Sequence, residues 1–248
     1  VRVFAGTSGF AYAPWKGSFY PEKLPAAQML GYYAGRLPAV EINNSFYRMP
    51  RREALAAWAD ETPAAFSFVL KAPQRITHQK RLLEVDDTVT LLADVSAGLG
   101  TKRGPVLFQL PPNLRKDLGR LEGFLATLAT RAPGLRAAFE FRHASWFEAD
   151  VLAALRNAGA ALCIAESEDL ETPFEATTTW GYLRLRREDY DEARLATWAD
   201  RLQEAPLQRY WTEAFVFFKH EDAGVGPKLA ARFLELTRPG STGPPAAP

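Results

Sequence analysis

Several side chains able to hold, orient or deprotonate a substrate recur at one kind of place in this chain, the end of an apolar run. Glu41 and Asn43 close the run in "AVEIN", Lys71 closes "FSFVLK", Gln109 closes "PVLFQ", and Glu140 and Arg142 close "AAFEFR". Glu166 ends "AALCIAE", Arg184 and Arg186 alternate in "GYLRLR", and Lys219 and His220 follow "AFVFF". The chemistry in reach is acid–base or anion chemistry. A carboxylate such as Glu41 or Glu140 can take a proton, and His78 and His143 can move one near neutral pH. Lysine and arginine match phosphate or carboxylate, arginine bidentately. That gives Lys71, Arg142 and Arg184 to an anion, and the amides of Asn43 and Gln109 to orienting what carries it. Ser8, in "GTSG", sits in a tight turn and reads as a binding hydroxyl, since the motif is not the G-x-S-x-G elbow of a nucleophile. Trp146 could stack a base or sugar or close the rim of the fold.

Metal hydrolysis fits poorly. Zinc centres want imidazole, thiolate and carboxylate ligands. The chain offers three histidines, His78, His143 and His220, and one cysteine, Cys163, within an apolar run. Lys71, Arg142, Arg184 and Arg186 would repel a cation from the same place, so neither metal nor cofactor is expected. A glycosidase-like pair of Glu41 and Glu140 across a common mouth is one alternative, with Trp15, Phe19, Tyr20, Phe46, Tyr47 and Trp146 as platforms. Two acid-free basic stretches, Lys71–Arg81 and Lys102–Lys116, add positive charge and read mostly as solvated surface.

The elements that must position these residues alternate in type. Strand-like runs are expected at Arg2–Gly6, Ala39–Asn43, Phe66–Ala72, Pro105–Pro111, Arg136–Arg142, Ala160–Glu166, Gly181–Arg186 and Ala214–His220, with helical sequence between them. Arg52–Glu61 and Leu118–Arg131 carry helical spacing, and Gly159 closes the helix before the sixth strand. Eight strands alternating with helices over this length predict a closed parallel (β/α)₈ barrel of the TIM type. An open doubly wound sheet would show a glycine-rich first turn, and "GTSGF" is not G-x-G-x-x-G. Residues 1–236 form one domain in this reading, and the Pro/Gly-rich residues 237–248 a flexible tail. Side chains alternate along a strand, so Glu41 and Asn43 share a face, as do Glu140 and Arg142, and Arg184 and Arg186. Charges on the inner face need partners, because desolvation costs several kcal/mol.

These same residues carry a family resemblance. The chain has Gly6-Thr7-Ser8-Gly9, then Glu41, Asn43, Ser45, Phe46, Tyr47 and Pro50. It has Lys71 leading to Ile76-Thr77-His78, Gln109 with Pro111 and Pro112, and Glu140-Phe141-Arg142-His143 with Ser145 and Trp146. The combination resembles the DUF72 family of YecE-like proteins over nearly the whole chain. The resemblance implies a TIM barrel and no established reaction. The family's likeness in shape to apurinic-site endonucleases of the xylose-isomerase-like barrel group makes a nucleic-acid fragment one implied partner. The chain departs from the family pattern at Arg187, in place of a histidine-glycine pair after the arginine, and at Lys219–Glu221, in place of an asparagine-rich segment.

A net charge of +1 gives no long-range pull toward nucleic acid or anionic membrane. No apolar run reaches the length of a membrane span, and Val1 leads directly into strand-like sequence. A cytoplasmic protein is therefore expected. The function expected is that of an enzyme on a phosphate-containing or other anionic substrate, with a noncatalytic nucleic-acid-binding or scaffold protein as the rival. The composition leaves the oligomeric state open.

Overall fold

The structure, a computed structural model, describes residues 1–166, 170–187, 189–204, 210–219 and 224–238. His220 and most of the 237–248 segment lie outside the described residues. Eight strands form a closed barrel in chain order: β1 (Arg2–Ser8), β2 (Ala39–Ile42), β3 (Ser67–Lys71), β4 (Arg103–Gln109), β5 (Ala137–Glu140), β6 (Ala161–Glu166), β7 (Trp180–Leu185) and β8 (Glu213–Phe218). Every neighbouring pair is parallel, and β1 closes on β8. The expected (β/α)₈ barrel is the observed fold. Its α-helices among the described residues are α1 (Met29–Ala34), α2 (Arg52–Glu61), α3 (Asp86–Ser96), α4 (Leu118–Arg131), α5 (Ala149–Ala158), α6 (Glu192–Gln203) and α7 (Val225–Leu236). Asp117 and Asp191 cap α4 and α6 by accepting from the N–H groups of Arg120 and Arg194. Gly159, at φ 64°, ends α5 in the left-handed conformation that glycine adopts at little cost.

The barrel sorts its apolar residues by strand alternation. One set faces the helices and forms a large core with Phe68, Phe108, Phe139, Leu162 and Val216. The other fills the interior: Phe4, Val69, Leu107, Cys163, Trp180, Tyr182, Phe215 and Phe217, with Ala39, Ala138 and Ala161 leaving room for the aromatic rings. Cys163 is fully buried there and its thiol pKa is raised by burial, which leaves it as packing.

One expectation fails between β6 and β7, where helical sequence was anticipated. The described residues 170–179 contain no helix. The segment lies along β6 and satisfies it through hydroxyls. Thr177 Oγ1 accepts from Leu162 N and donates to Ala160 O, and Thr172 Oγ1 accepts from Ala165 N. Threonine and proline in "ETPFEATTT" disfavour helix and supply these side-chain bonds.

The aromatic residues after β1 that were considered as platforms, Trp15, Phe19 and Tyr20, pack into the fold. Trp15 and Tyr20 are buried, and Tyr20 donates to Phe10 O. Phe19 meets Trp15, Tyr32 and Tyr33 edge-on, so the loop packs back on α1. The loop is a clamp on the first β/α unit.

Candidate functional site

At the carboxyl ends of the strands lies a cleft of about 710 Å³. Its wall includes Asn43, Lys71, Gln109, Glu140, Arg142, Arg184, Arg186 and Lys219. Five of the six strand-end residues that opened the sequence reading are therefore in one place. The sixth, Glu41, lies beneath the wall and is fully buried.

The floor is an ionic network centred on Arg184, itself only 2% exposed. Its guanidinium donates to Glu41 Oε1 at 2.8 Å and to Glu140 Oε2 at 2.6 Å. Glu41 takes further bonds from Ser8 Oγ at 2.7 Å and Tyr182 Oη at 2.6 Å. Glu140 Oε1 accepts from Gln109 Nε2 at 2.8 Å, and Gln109 Oε1 accepts from Lys71 Nζ at 2.7 Å. Strand alternation builds this layer. Trp180, Tyr182 and Arg184 occupy successive inward positions of β7, and the last falls level with the ends of β2 and β5. Tyr182 was missed in the sequence reading, although the same period of two in "WGYLRL" points to it.

Burial opposes ionisation of Glu41, but Arg184, the Tyr182 hydroxyl, Arg186 and the Ser8 hydroxyl outweigh it and hold the carboxyl below its usual range. Burial likewise opposes ionisation of Glu140. Arg184, by charge and hydrogen bond, and the Gln109 amide again reverse the balance. Both are carboxylates at neutral pH. Lys71 goes the other way. Burial, with the nearby charge of Arg184, pushes its amine down to about 8 against the pull of Glu41 and Glu140.

The second layer fixes the backbone. Ser45, from the segment after β2, donates to Ile42 O and Lys71 O at 2.7 Å and accepts from Lys71 N at 3.1 Å. This pins β2 to β3 just below Lys71. Phe46 follows, and Lys71 Nζ sits 4.3 Å from its ring centroid. At the end of β2, Glu41 and Ser45 thus tie neighbouring strand ends to the floor, while Asn43 lines the cleft.

Other sequence candidates sit apart from the cleft wall. His78 is partly exposed, with Nδ1 2.8 Å from Thr77 Oγ1 and its ring edge-on to Phe46. Burial and then the charges of Lys71, Arg142 and Arg81 lower its pKa. His143 accepts from Ser145 N and caps the turn at Ala144–Trp146. Trp146 is fully buried, stacked on Phe141 and donating to Leu114 O, so its ring belongs to the core. Of the aromatic residues considered as platforms, Tyr47 lines the cleft and is 74% exposed; Tyr12 also lines it and was not anticipated. The two basic stretches disperse. Lys102 donates to Thr62 O and Ala59 O at the end of α2, and Lys116 pairs with Glu148 and Asp150.

Charge and hydrogen-bond balance mark the cleft. Lys71, Arg142, Arg184, Arg186 and Lys219 line it against Glu140 and Glu166. Glu166 is held by Tyr190 and by Trp198 Nε1. Arg142 is exposed and makes no ion pair or hydrogen bond with the described residues. Arg184 Nε and Asn43 Oδ1 are buried with no hydrogen-bond partner among the described residues. A buried donor and a buried acceptor left unpaired cost about 1–3 kcal/mol each, which a bound ligand can recover. No group of three or more His, Cys, Asp or Glu side chains suited to a metal occurs among the described residues. Nor is any described helix long and apolar enough to cross a membrane.

Comparison with known proteins agrees with this architecture. UPF0759 protein YunF of Bacillus subtilis is 30% identical over 138 residues, 52% of this chain and 48% of that protein. UPF0759 protein YecE of Escherichia coli K12 is 32% identical over 117 residues, 46% of this chain and 42% of that protein. The matched stretch thus spans about half the length of these curated relatives. A DUF72 family protein from Thermotoga maritima superposes with a TM-score of 0.80 at 26% identity, over 95% of this chain and 99% of that one. One from Enterococcus faecalis gives 0.78 at 18% identity, over 95% of each, a likeness of fold alone. The model of the family described as "Protein of unknown function DUF72" matches residues 4–248, and the chain belongs to that family.

Proposed function

We propose that the cleft binds a phosphate-containing or otherwise anionic small molecule and that the protein is an enzyme acting on it. The observation that carries this reading is the Arg184 Nε–H, which has no partner among the described residues and is buried in a cleft wall where cationic side chains outnumber acidic ones. Arg142 at the mouth and Arg184 at the floor supply charge for the anion. Asn43 and Gln109 orient the remainder of the ligand, and Asn43 Oδ1 accepts from a hydroxyl or amine on it. Glu140, on the wall, is the carboxylate nearest the substrate. Glu41 and Ser8 are positioning residues, since their oxygens are spent on Arg184, Tyr182 and each other.

A glycosidase reading needs one carboxyl held protonated near neutral pH. Both glutamates share one arginine and are held ionised, which weighs against it. A nucleic-acid fragment satisfies the same anion chemistry, and its binding would weaken steeply with salt.

The test is thermal stabilisation by sugar phosphates, nucleotides, short oligonucleotides and neutral sugars, with native protein and Arg142→Ala. The expected result is stabilisation by a small anion that persists at moderate salt and weakens in Arg142→Ala. Stabilisation by neutral sugars alone would overturn the anion reading, and response to oligonucleotides alone, lost with salt, would make the protein a nucleic-acid binder. Product formation from a stabilising ligand separates an enzyme from a scaffold.

A further inference from the structure

We infer that Lys71 is a carbonyl-reactive amine and that the anion held in the cleft is an aldehyde or ketone, bound as an imine on Nζ. The inference rests on the anion reading above and narrows it to one substrate class.

The geometry is that of an amine held near two buried carboxylates, Glu41 and Glu140, yet in contact with neither. Lys71 ends β3 and lines the cleft. The groups facing it are Gln109 from β4, Phe46 from the segment after β2, and the charges of Glu41, Glu140, Arg184 and Arg186, with His78 following on its own side. Yet it forms no salt bridge with any described acid. Gln109 stands between it and Glu140. The amide can be oriented only one way. An ionised carboxylate solely accepts, so Nε2 must face Glu140 and Oε1 must face Lys71. Arg184 fixes Glu140, Glu140 fixes Gln109, and Gln109 fixes the amine through a neutral acceptor. A carboxylate in direct contact would hold the amine as an ammonium. A neutral carbonyl oxygen steers it without doing so. Partial burial and the guanidinium of Arg184 then favour the free amine, and its pKa of about 8 follows from that placement.

The reaction balances within these groups. The neutral amine adds to the carbonyl carbon, and a proton passes from nitrogen to oxygen to give the carbinolamine. The hydroxyl leaves with a proton as water, and the nitrogen lone pair forms the C=N bond. In sum, lysine ammonium and carbonyl give protonated imine and water, with no oxidant or reductant. Arg142 and Arg184 Nε hold the anionic group, and Asn43 Oδ1 accepts from a neighbouring hydroxyl. The class is therefore a carboxylated or phosphorylated hydroxy-aldehyde or hydroxy-ketone.

Glyoxylate with cyanoborohydride tests this directly, because hydride adds to the imine carbon and leaves a carboxymethyl group on the lysine. Peptide mapping at pH 7 should show Lys71 labelled on the order of tenfold faster than exposed Lys23, as a lower amine pKa predicts. The label should move to no other site in Lys71→Met, whose fold is checked by circular dichroism. Acetaldehyde, a neutral probe, should label Lys71 less selectively. Equal labelling of Lys71 and Lys23 by both aldehydes would overturn the inference. If small anions still stabilise the protein in that event, the anion reading stands without the imine. If acetaldehyde labels Lys71 as selectively as glyoxylate and no anion stabilises the protein, the amine is reactive and the anion reading falls.

Discussion

β7 enters the barrel interior at Trp180, crosses its middle at Tyr182 and reaches its mouth at Arg184, three residues on one face of one strand. At the amino end Phe4 stacks on Phe215 with centroids 4.9 Å apart, and Trp180 meets Phe215 edge-on. Arg136 pairs with Glu213 at that rim and lies over both Trp180 and Phe215. At the carboxyl end the same interior is filled by Glu41, Arg184 and Glu140. The first end is stabilised by apolar area and packing, which no single partner controls. The second is stabilised conditionally. Each charge is tolerable only because the others are present, and removing one leaves the rest buried without compensation.

That contrast predicts the largest effect. Arg184→Met should destabilise by about 3–5 kcal/mol in urea unfolding, because two buried carboxylates lose their counter-ion. Adding Glu41→Gln and Glu140→Gln to it should recover part of the loss, since the amides carry no charge to bury. Phe215→Ala at the opposite end should cost about 3 kcal/mol, and no second substitution that merely removes charge should restore it. Recovery in neither case would mean that the mouth is held by packing, like the base.

Acid should separate the two ends next. Both glutamates have folded pKa values below their usual 4.5. Their contribution is thus fully present above about pH 4.5 and is lost as pH falls through the folded values. Native protein and Phe215→Ala should lose stability in parallel below that pH. The triple variant, lacking both carboxylates, should show a shallower loss. Parallel slopes for all three would show that these carboxylates titrate alike folded and unfolded.

How much of this was legible beforehand also divides between the regions. The barrel was readable because eight apolar runs with a period of two alternate with helical spacing, and local pattern decides such elements. The convergence of Asn43, Lys71, Gln109, Glu140 and Arg142 was readable because parallel strands bring like ends together. Their division of labour was not. Whether Glu41 faces a ligand or lies under the floor depends on the height of its strand in the barrel, set by register across β1, β2 and β3. Trp146 read either as a stacking platform or as a rim residue and became core, where Leu114 O, 32 residues away in sequence, accepts its indole N–H. The Thr-rich segment before β7 read as helical by alternation alone, and its hydroxyls chose β6 instead.

A smaller effect should appear at Lys71. Its folded pKa lies below the usual 10.5, so the unfolded chain binds more protons between about pH 8 and 10.5. Native stability should therefore gain a rising component through that window. The buried Cys163 thiol and the Tyr20, Tyr33 and Tyr182 hydroxyls have raised pKa values, so their contributions fade above about pH 9 and pH 10 respectively, and the difference between native protein and Lys71→Met, which share these groups, isolates the lysine. Lys71→Met should lack the rising component and be more stable than the native protein at pH 7 by on the order of 1 kcal/mol, at the expense of ligand binding. A loss of stability at pH 7 would show that the Gln109 and Phe46 contacts outweigh the cost of burying the amine.

The finest distinction concerns Gln109, which differs from glutamate by one atom. Gln109→Glu keeps the shape and puts a carboxylate 2.7 Å from Lys71 Nζ, where the native chain has a neutral oxygen. It also replaces the amide donor to Glu140 Oε1 with a second carboxyl facing Glu140, whose own counter-ion Arg184 is already shared with Glu41. A carboxylate in contact with the amine favours its ammonium form and should raise the folded pKa from about 8 back toward 10.5. The pH at which glyoxylate labelling of Lys71 reaches half its maximum should move up by roughly one unit or more, which corresponds to about 1.4 kcal/mol between the two protonation states. Global stability should change less than in Arg184→Met, because the new acid faces an amine that can pair with it. Gln109→Met removes the neutral acceptor without adding charge, and should leave that midpoint near its native value while slowing the labelling through lost orientation. If Gln109→Glu and Gln109→Met move the midpoint equally, the amide orients Lys71 without setting its protonation, and burial with the charge of Arg184 is left as the cause.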